Sequence, residues 1–190
     1  MLQQLGVSFK TITIEADEPS FDRMAARRIN IQKAVDFVSN VVEWKLAQAL
    51  QSSSQETRLP IPILAADTLI FHHGRVLEKP KDRDEAFVML NALQGGAHHA
   101  ISVVAMAQND KQSSRLSLTE VTFAPLSTVQ INAYLDTGEY VGKAGAYAVQ
   151  GYAAAFISML KGSYSGVMGL PLEQTAELLN DFGIEYWNLP

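Results

Sequence analysis

The sequence has no cysteine among its 190 residues. Disulfide bonds, thiolate nucleophiles and cysteine-bound metals are therefore excluded. The absence is compatible with a reducing cytoplasm, where we expect the protein to reside. No apolar run reaches the roughly 18 residues of a membrane-spanning helix, so we expect no membrane partner. Residues 1–6 lack the basic and apolar regions of a signal peptide.

Basic residues are outnumbered by acidic ones. The net charge is −5 and the isoelectric point about 5.3. Proteins whose main partner is nucleic acid usually carry a basic surface, so we expect no nucleic-acid partner. A nucleotide ligand is still compatible with this negative net charge, because one small anion needs only a local cluster of cations. With 47% hydrophobic and 18% charged residues, the composition is that of a globular protein, and we expect a single domain over residues 1–190.

Several motifs of well-known enzymes are also missing. The sequence has no H-E-x-x-H zinc motif, no G-x-S-x-G nucleophile elbow and no Walker or dinucleotide fingerprint. Its histidines come as the adjacent pairs His72-His73 and His98-His99. Because neighbours on a strand point to opposite faces, neither pair suits chelation. We expect neither zinc nor serine hydrolysis, and a local structural role for His98.

The chain does contain alternating strand-like and helix-like segments. Strands are predicted at residues 7–15, in the run that ends at Asp67, and at 100–107, 116–123 and 153–160. Helices are predicted at residues 21–49, 82–93, 127–136 and 172–182. A hairpin-like segment at residues 69–77, which turns near His73-Gly74, follows Asp67. Ser127 with Gln130 fits a capping box at the start of the helix predicted at residues 127–136. This order predicts an α/β fold with a mixed β-sheet flanked by helices, in which loops at one edge form a cleft.

Carboxylates follow two of the predicted strands. Asp67 lies in Ala66-Asp67-Thr68 after the apolar run 61–65, where it would serve as a metal ligand or general base, or would start a turn by capping backbone N–H groups. Asp17-Glu18 follows the first predicted strand in the same way. Such acids are suitable ligands for Mg²⁺ bound to phosphates, although Asp-Glu-Pro-Ser is also an ordinary loop sequence.

Three lysines are candidate phosphate ligands. Lys33 lies on an apolar helix face, from which it can extend to water or point at a phosphate. Lys79 precedes Pro80, which holds it in an extended conformation. Lys143 belongs to a loop of small residues, 143–151, in which it can serve either purpose. Small residues allow a ligand to approach the backbone, and Gln150 in this small-residue loop can donate and accept hydrogen bonds at a base edge. The loop can equally be a tight connection.

Taken together, these segments resemble the Maf family of nucleoside triphosphate pyrophosphatases. The matching stretches are Asp17-Glu18, Lys33-Ala34, Ala66-Asp67-Thr68, Lys79-Pro80, Leu93-x-Gly95-x-x-His98, Lys143-Ala144-Gly145-Ala146-Tyr147, Gln150-Gly151 and Gly169-Leu170-Pro171-Leu172. The resemblance implies two lobes around a central cleft, a homodimer, and hydrolysis of a nucleoside triphosphate to the monophosphate and pyrophosphate with Mg²⁺ or Mn²⁺.

The resemblance also implies residue roles. The family's proton acceptor corresponds to Asp67, its acidic residue after the first strand to Glu18, and its phosphate-facing lysines to Lys33 and Lys79. The positions where the family sets base choice correspond to Thr68 and Gln150. The Lys-Ala-Gly-x-Tyr and Gln-Gly pattern is similar to that of members acting on dTTP and UTP, which implies these two substrates. The alternatives are a 7-methyl-GTP pyrophosphatase, an inosine triphosphate type of pyrophosphatase, and a weakly active or inactive nucleotide-binding regulator linked to cell division.

Two features depart from the family. Gly142 stands where the family usually has an Asp before the loop lysine. The chain also lacks the family's N-terminal strand and Ser-x-Ser-Pro-Arg-Arg loop, whose arginines are charge-assisted phosphate ligands. We expect either a natural product that starts upstream or a genuinely truncated protein of low activity.

Overall fold

The computed structural model describes residues 1–14, 19, 28–53 and 61–187. Its α-helices are α1 (Ile31–Ser53), α2 (Arg83–Leu93), α3 (Thr128–Asp136), α4 (Tyr164–Val167) and α5 (Leu172–Asp181). Its strands are β1 (Ile63–His72), β2 (Arg75–Leu77), β3 (Ala97–Gln108), β4 (Lys111–Phe123) and β5 (Ile157–Lys161). Short 3₁₀ turns lie at Leu2–Leu5, Ala144–Ala146 and Tyr152–Phe156.

The five strands form one sheet in the order β2-β1-β3-β4-β5. Helices flank this sheet, which confirms the α/β class predicted from the sequence. All four strand pairings of the described residues are antiparallel, whereas the alternation of segments had predicted a mixed sheet. Two of these pairings, β1 with β2 and β3 with β4, follow from hairpin turns, which pair neighbouring strands antiparallel. The predicted hairpin that turns at His73 and Gly74 is confirmed.

Helix α1 covers one face of the sheet. Its buried side chains recur at threes and fours and pack against alternate residues of β1 and β3. The α1 residues are Ala34, Val38, Val42, Leu46 and Ala49, and the sheet residues include Leu69, Phe71, Ile101 and Val103. Each fully buried aliphatic side chain contributes about 1.5–3 kcal/mol to stability. This helix is therefore fixed against β1, the strand that carries Asp67.

The opposite face is covered by α2, α3, α5 and the small-residue loop. Local signals in the sequence set the starts of two of these helices. The Asp82 side chain accepts a hydrogen bond from the backbone N–H of Glu85, and Ser127 with Gln130 forms the predicted capping box of α3. Since β3 has helices on both faces, residues 100–107 are all buried.

The strand predicted at residues 7–15 is not observed. Residues 7–14 have no regular secondary structure, and Phe9 and Ile12 are exposed. The reason is that apolar groups occupy both alternate sets of positions there, so the pattern gives no single buried face. Asp17 and Glu18 lie outside the described residues.

One edge of β1 is open over most of its length. Strand β2 pairs only with residues Ile70, Phe71 and His72 of β1. Among the described residues, no strand covers that side of residues 63–69. Within the same described residues, no helix has the length and apolar character needed to cross a membrane.

Candidate active site

A cavity of about 250 Å³ lies against this edge of β1. Side chains predicted from the sequence as site residues line it, together with Lys143 of the small-residue loop. The four predicted residues are Asp67, Thr68, Lys79 and Gln150. We refer to this space, bounded by β1, Lys79, the small-residue loop and residues 167–169, as the edge cavity.

Asp67 lies in the middle of β1 and not at its end. The sequence had suggested that the strand stops there, but pairing with β3 continues to Phe71 opposite His99. Strand alternation places Asp67 on the face covered by α1, whereas Thr68 points to the opposite face. Both residues nevertheless line the edge cavity, because the cavity lies against the side of the strand and not on one face of the sheet.

The carboxylate of Asp67 is paired with a lysine of α1. Lys45 Nζ lies 3.1 Å from Asp67 Oδ1, and the side chains are 21% and 28% exposed. Sequence reasoning missed Lys45. The sequence did contain a signal for this lysine. Lys45 follows Val38 by seven residues and Val42 by three, so it lies on the same helix face as these buried valines, where a cation is unusual.

Lys33 is not among the residues that line the edge cavity. Its side chain is exposed in the first turn of α1, where its backbone N–H donates to Asn30 Oδ1 at 2.9 Å. The twelve residues that separate Lys33 from Lys45 span about 18 Å of helix. The structure therefore brings Lys45 to Asp67 and leaves Lys33 at the far end of α1.

Lys79 and the small-residue loop are held together by the backbone. The N–H of Gly145 donates to the carbonyl of Glu78 at 3.2 Å. Gly145 has φ +66°, and a Cβ there would lie 2.8 Å from Ile70 Cγ1. Only glycine allows the loop to lie this close to β1. Lys79 and Lys143 thereby face the same space.

Gln150 lies in a segment that is fixed by Glu139. The Glu139 carboxylate accepts hydrogen bonds from the backbone N–H groups of Tyr152, at 2.7 Å, and Ala153, at 3.1 Å. It also accepts from the hydroxyl of Tyr134 at 3.0 Å. Burial, and after it the neighbouring carboxylate, raises the pKa of Tyr134, so the hydroxyl keeps its proton and donates. No pattern in the sequence predicts this role of Glu139.

The buried side chains of His98 and Tyr147 support the small-residue loop. The Tyr147 hydroxyl and His98 Nε2 are 2.9 Å apart, and Tyr147 lines the edge cavity. Burial, with a smaller contribution from His72 and His99, lowers the pKa of His98 to about 3. Burial raises the pKa of Tyr147. Both groups are therefore neutral near pH 7, which agrees with the structural role expected for His98.

Thr68 takes part in a series of connected hydrogen bonds. Its Oγ1 lies 2.7 Å from Ser102 Oγ, and Ser102 donates to the carbonyl of Gly166 at 2.6 Å. Ser102 is 1% exposed and lies opposite Thr68 in the register of β1 and β3. No local pattern predicts this contact, because 34 residues separate Ser102 from Thr68.

The described residues contain no group of three or more His, Asp or Glu side chains that could hold a metal ion by itself. Asp67 is the predicted metal ligand that these residues bring to the edge cavity, and the other one, Glu18, lies outside them. A single carboxylate suits a cation that is held mainly by the phosphates of a substrate.

Comparison with known proteins shows relatives of this chain. A protein of Polaromonas sp. (strain JS666 / ATCC BAA-500), named dTTP/UTP pyrophosphatase, is 40% identical over 97% of this chain and 91% of its own length. Proteins with the same name from Bordetella avium (strain 197N) and Alcanivorax borkumensis (strain ATCC 700651 / DSM 11573 / NCIMB 13689 / SK2) are 42% and 37% identical. These two alignments cover 97% and 100% of this chain, and 90% and 92% of the relatives. The model of the family described as Maf-like protein matches residues 1–182, so the chain belongs to the Maf family.

Proposed function

We propose that this protein hydrolyses dTTP and UTP to the nucleoside monophosphate and pyrophosphate. The observation that carries the proposal is the edge cavity, where a carboxylate, two lysines and an amide converge. These groups are Asp67, Lys79, Lys143 and Gln150. The name shared by the relatives supports the same reaction and the same substrates.

Asp67 is the proposed general base. It takes a proton from a water molecule whose oxygen then forms a bond to the α-phosphorus. The bond from this phosphorus to the bridging oxygen breaks, and pyrophosphate leaves with that oxygen. The ammonium of Lys45, with Nζ 3.1 Å from Asp67 Oδ1, keeps the carboxylate oriented. We assign this place beside the carboxylate to Lys45 in preference to Lys33, because Lys45 makes the contact.

Lys79 and Lys143 are the proposed cations for the phosphates. Negative charge grows on the leaving pyrophosphate during hydrolysis, and positioned ammonium groups stabilise it. Both side chains reach the cavity from segments that the Gly145 to Glu78 hydrogen bond holds together. The family's usual Asp before the loop lysine is replaced by Gly142, which leaves Lys143 without a sequence-adjacent carboxylate.

The divalent cation remains part of the proposal. Asp67, with Glu18 as the second ligand expected from the sequence, would hold Mg²⁺ or Mn²⁺ that arrives with the triphosphate. Such a cation supplies positive charge that offsets the charge of the phosphates. Thr68 and Gln150 are the proposed contacts to the base. The homodimer, the single domain over residues 1–190 and the cytoplasmic location stay predictions.

Replacement of Asp67 by asparagine tests the proposal. Asparagine keeps the shape but loses the base and an anionic ligand, so pyrophosphate release from dTTP and UTP should fall by at least about a hundredfold. Near-normal release by this variant would refute the role of Asp67. A panel of dTTP, UTP, 7-methyl-GTP and ITP separates the substrate classes. Thermal stabilisation by nucleotide without turnover would instead indicate a binding protein.

A further inference from the structure

Thr68 presents a hydroxyl to the edge cavity, and this hydroxyl is connected to the interior of the protein. Thr68 Oγ1, Ser102 Oγ and the carbonyl oxygen of Gly166 follow one another at 2.7 Å and 2.6 Å. Thr68 is half-buried and lines the cavity, and Ser102 is 1% exposed. Thr68 therefore contacts Ser102 in the interior and also borders the edge cavity, where a ligand can reach it.

The direction of each hydrogen bond follows from the last oxygen. A carbonyl oxygen can only accept, so the single hydroxyl proton of Ser102 points at Gly166. Without a proton between them, two oxygens 2.6 Å apart would repel each other. Ser102 therefore has only lone pairs left for Thr68, and Thr68 donates its own proton to Ser102. What Thr68 presents to the cavity is a hydrogen-bond acceptor without a proton to donate.

Close packing keeps the carbonyl of Gly166 in this place. A Cβ at Gly166 would lie 2.8 Å from Ser117 Oγ, so this part of α4 lies directly on the sheet. The N–H of Gly166 donates to Ser163 Oγ at 3.0 Å. Ser117 is the partner of Ser102 in the register of β3 and β4. These contacts hold the backbone of Gly166 against the sheet, where its carbonyl accepts from Ser102.

We propose that Ser102 is a positioning residue for base selection, which makes Thr68 an acceptor that favours the imide N3–H of uracil or thymine. This inference rests on the proposed function. Ionised phosphate oxygens only accept hydrogen bonds, so Thr68 in this state does not bind them. Cytosine has a lone pair at N3, which would face the lone pairs of Thr68. Uracil and thymine have a proton there, which Thr68 can accept.

The test compares UTP with CTP, which share the same ribose and phosphates, as substrates of the protein of residues 1–190. The ratio of kcat/KM for UTP to kcat/KM for CTP should fall by about tenfold in Ser102→Ala, mainly because CTP improves. In that variant the Thr68 hydroxyl is free to turn and donate. Ser102→Thr keeps the hydroxyl and should restore the ratio. Thr175→Val removes a buried hydroxyl that donates to the carbonyl of Pro171 and does not line the edge cavity, so it should leave the ratio unchanged.

An unchanged ratio in Ser102→Ala, or an equal change in Thr175→Val, would overturn the proposal. Should Ser102→Ala fail to fold, Thr68→Val tests the acceptor itself: it should lower the ratio, and an unchanged ratio would overturn the proposal. Wild-type protein offers a test without substitution, since UTP methylated at N3 should react at least about tenfold more slowly than UTP. Equal rates with these two nucleotides would contradict the role of Thr68.

Failure of the proposed function would give a different result. A chain that releases no pyrophosphate from dTTP or UTP is not this pyrophosphatase. The preference for UTP over CTP is then measured by thermal stabilisation of the same four proteins. A binding preference that falls in Ser102→Ala and survives in Thr175→Val would still support the role of Ser102, and an unchanged preference in Ser102→Ala would refute it.

Discussion

Replacing Glu139 by alanine should destabilise the segment that carries Gln150. The carboxylate accepts two backbone N–H groups at the start of the 3₁₀ turn Tyr152–Phe156, and the hydroxyl of Tyr134. Hydrogen bonds to a charged group contribute about 1.5–3 kcal/mol each when well buried, and about 1 kcal/mol each is reasonable for this half-buried carboxylate. The expected loss in free energy of unfolding is therefore about 3 kcal/mol.

The local packing makes compensation difficult. A Cβ at Gly151 would lie 1.9 Å from Glu139 Oε2, so the carboxylate fills the space beside the glycine backbone. Alanine at 139 leaves this space empty and leaves the hydroxyl of the buried Tyr134 without its acceptor. For a chain of this size, about 3 kcal/mol corresponds to a fall in melting temperature of about 6–12 °C.

Thermal unfolding followed by circular dichroism, together with urea denaturation, measures this loss. Glu139→Gln keeps one acceptor oxygen but loses the charge, and should lose about half as much stability. Glu43→Ala, on the exposed side of α1, is the control and should change the melting temperature little. Because Gln150 contacts the base in the proposal, KM for UTP should rise about fivefold in Glu139→Ala while kcat changes less. A melting temperature within about 2 °C of wild type would refute the reasoning.

Three further predictions follow from the site. Lys45→Met should lower kcat/KM for UTP by at least about tenfold and Lys33→Met by less than about twofold, and the reverse order would favour the assignment made from the sequence. Gly145→Ala should lower the urea midpoint more than Gly142→Ala, because both have positive φ but only a Cβ at Gly145 meets a neighbour. The pKa of His98 is lowered from 6.5 to about 3. Its contribution to the free energy of unfolding is therefore complete above about pH 6.5. As the pH falls from there toward 3, this contribution decreases by about 1.4 kcal/mol per pH unit. His98→Gln should flatten this part of the pH dependence of urea unfolding, and an unchanged slope would contradict a buried neutral histidine.

Elements with strong local signals were predictable from the sequence. Helix α2 begins next to Asp82, where the sequence predicts its start, and α3 begins with the predicted capping box of Ser127 and Gln130. The hairpin turn at His73 and Gly74 was also correct, because both residues adopt positive φ, which suits such a turn. These features depend on contacts between residues a few positions apart, which a single sequence displays directly.

The position of Asp67 within its strand was not predictable in this way. The stretch Ala66-Asp67-Thr68 resembles a strand end because polar residues interrupt an apolar run. The strand continues because β3 supplies hydrogen-bond partners on one side through residue Phe71. Side chains of β1 therefore alternate through Asp67, which directs its carboxylate toward α1 and Lys45.

The sequence by itself determined the chemistry available to this protein: oxygen and ammonium ligands without thiols, small residues where a loop approaches a strand, and motifs that resemble one family. Only the tertiary structure decided which groups meet. Asp67 pairs with Lys45 across 22 residues, Thr68 contacts Ser102 across 34, and Glu139 holds a turn 13 residues later. Such contacts depend on strand register and on how α1 packs against the sheet, which the burial of many side chains fixes together and which no local pattern encodes.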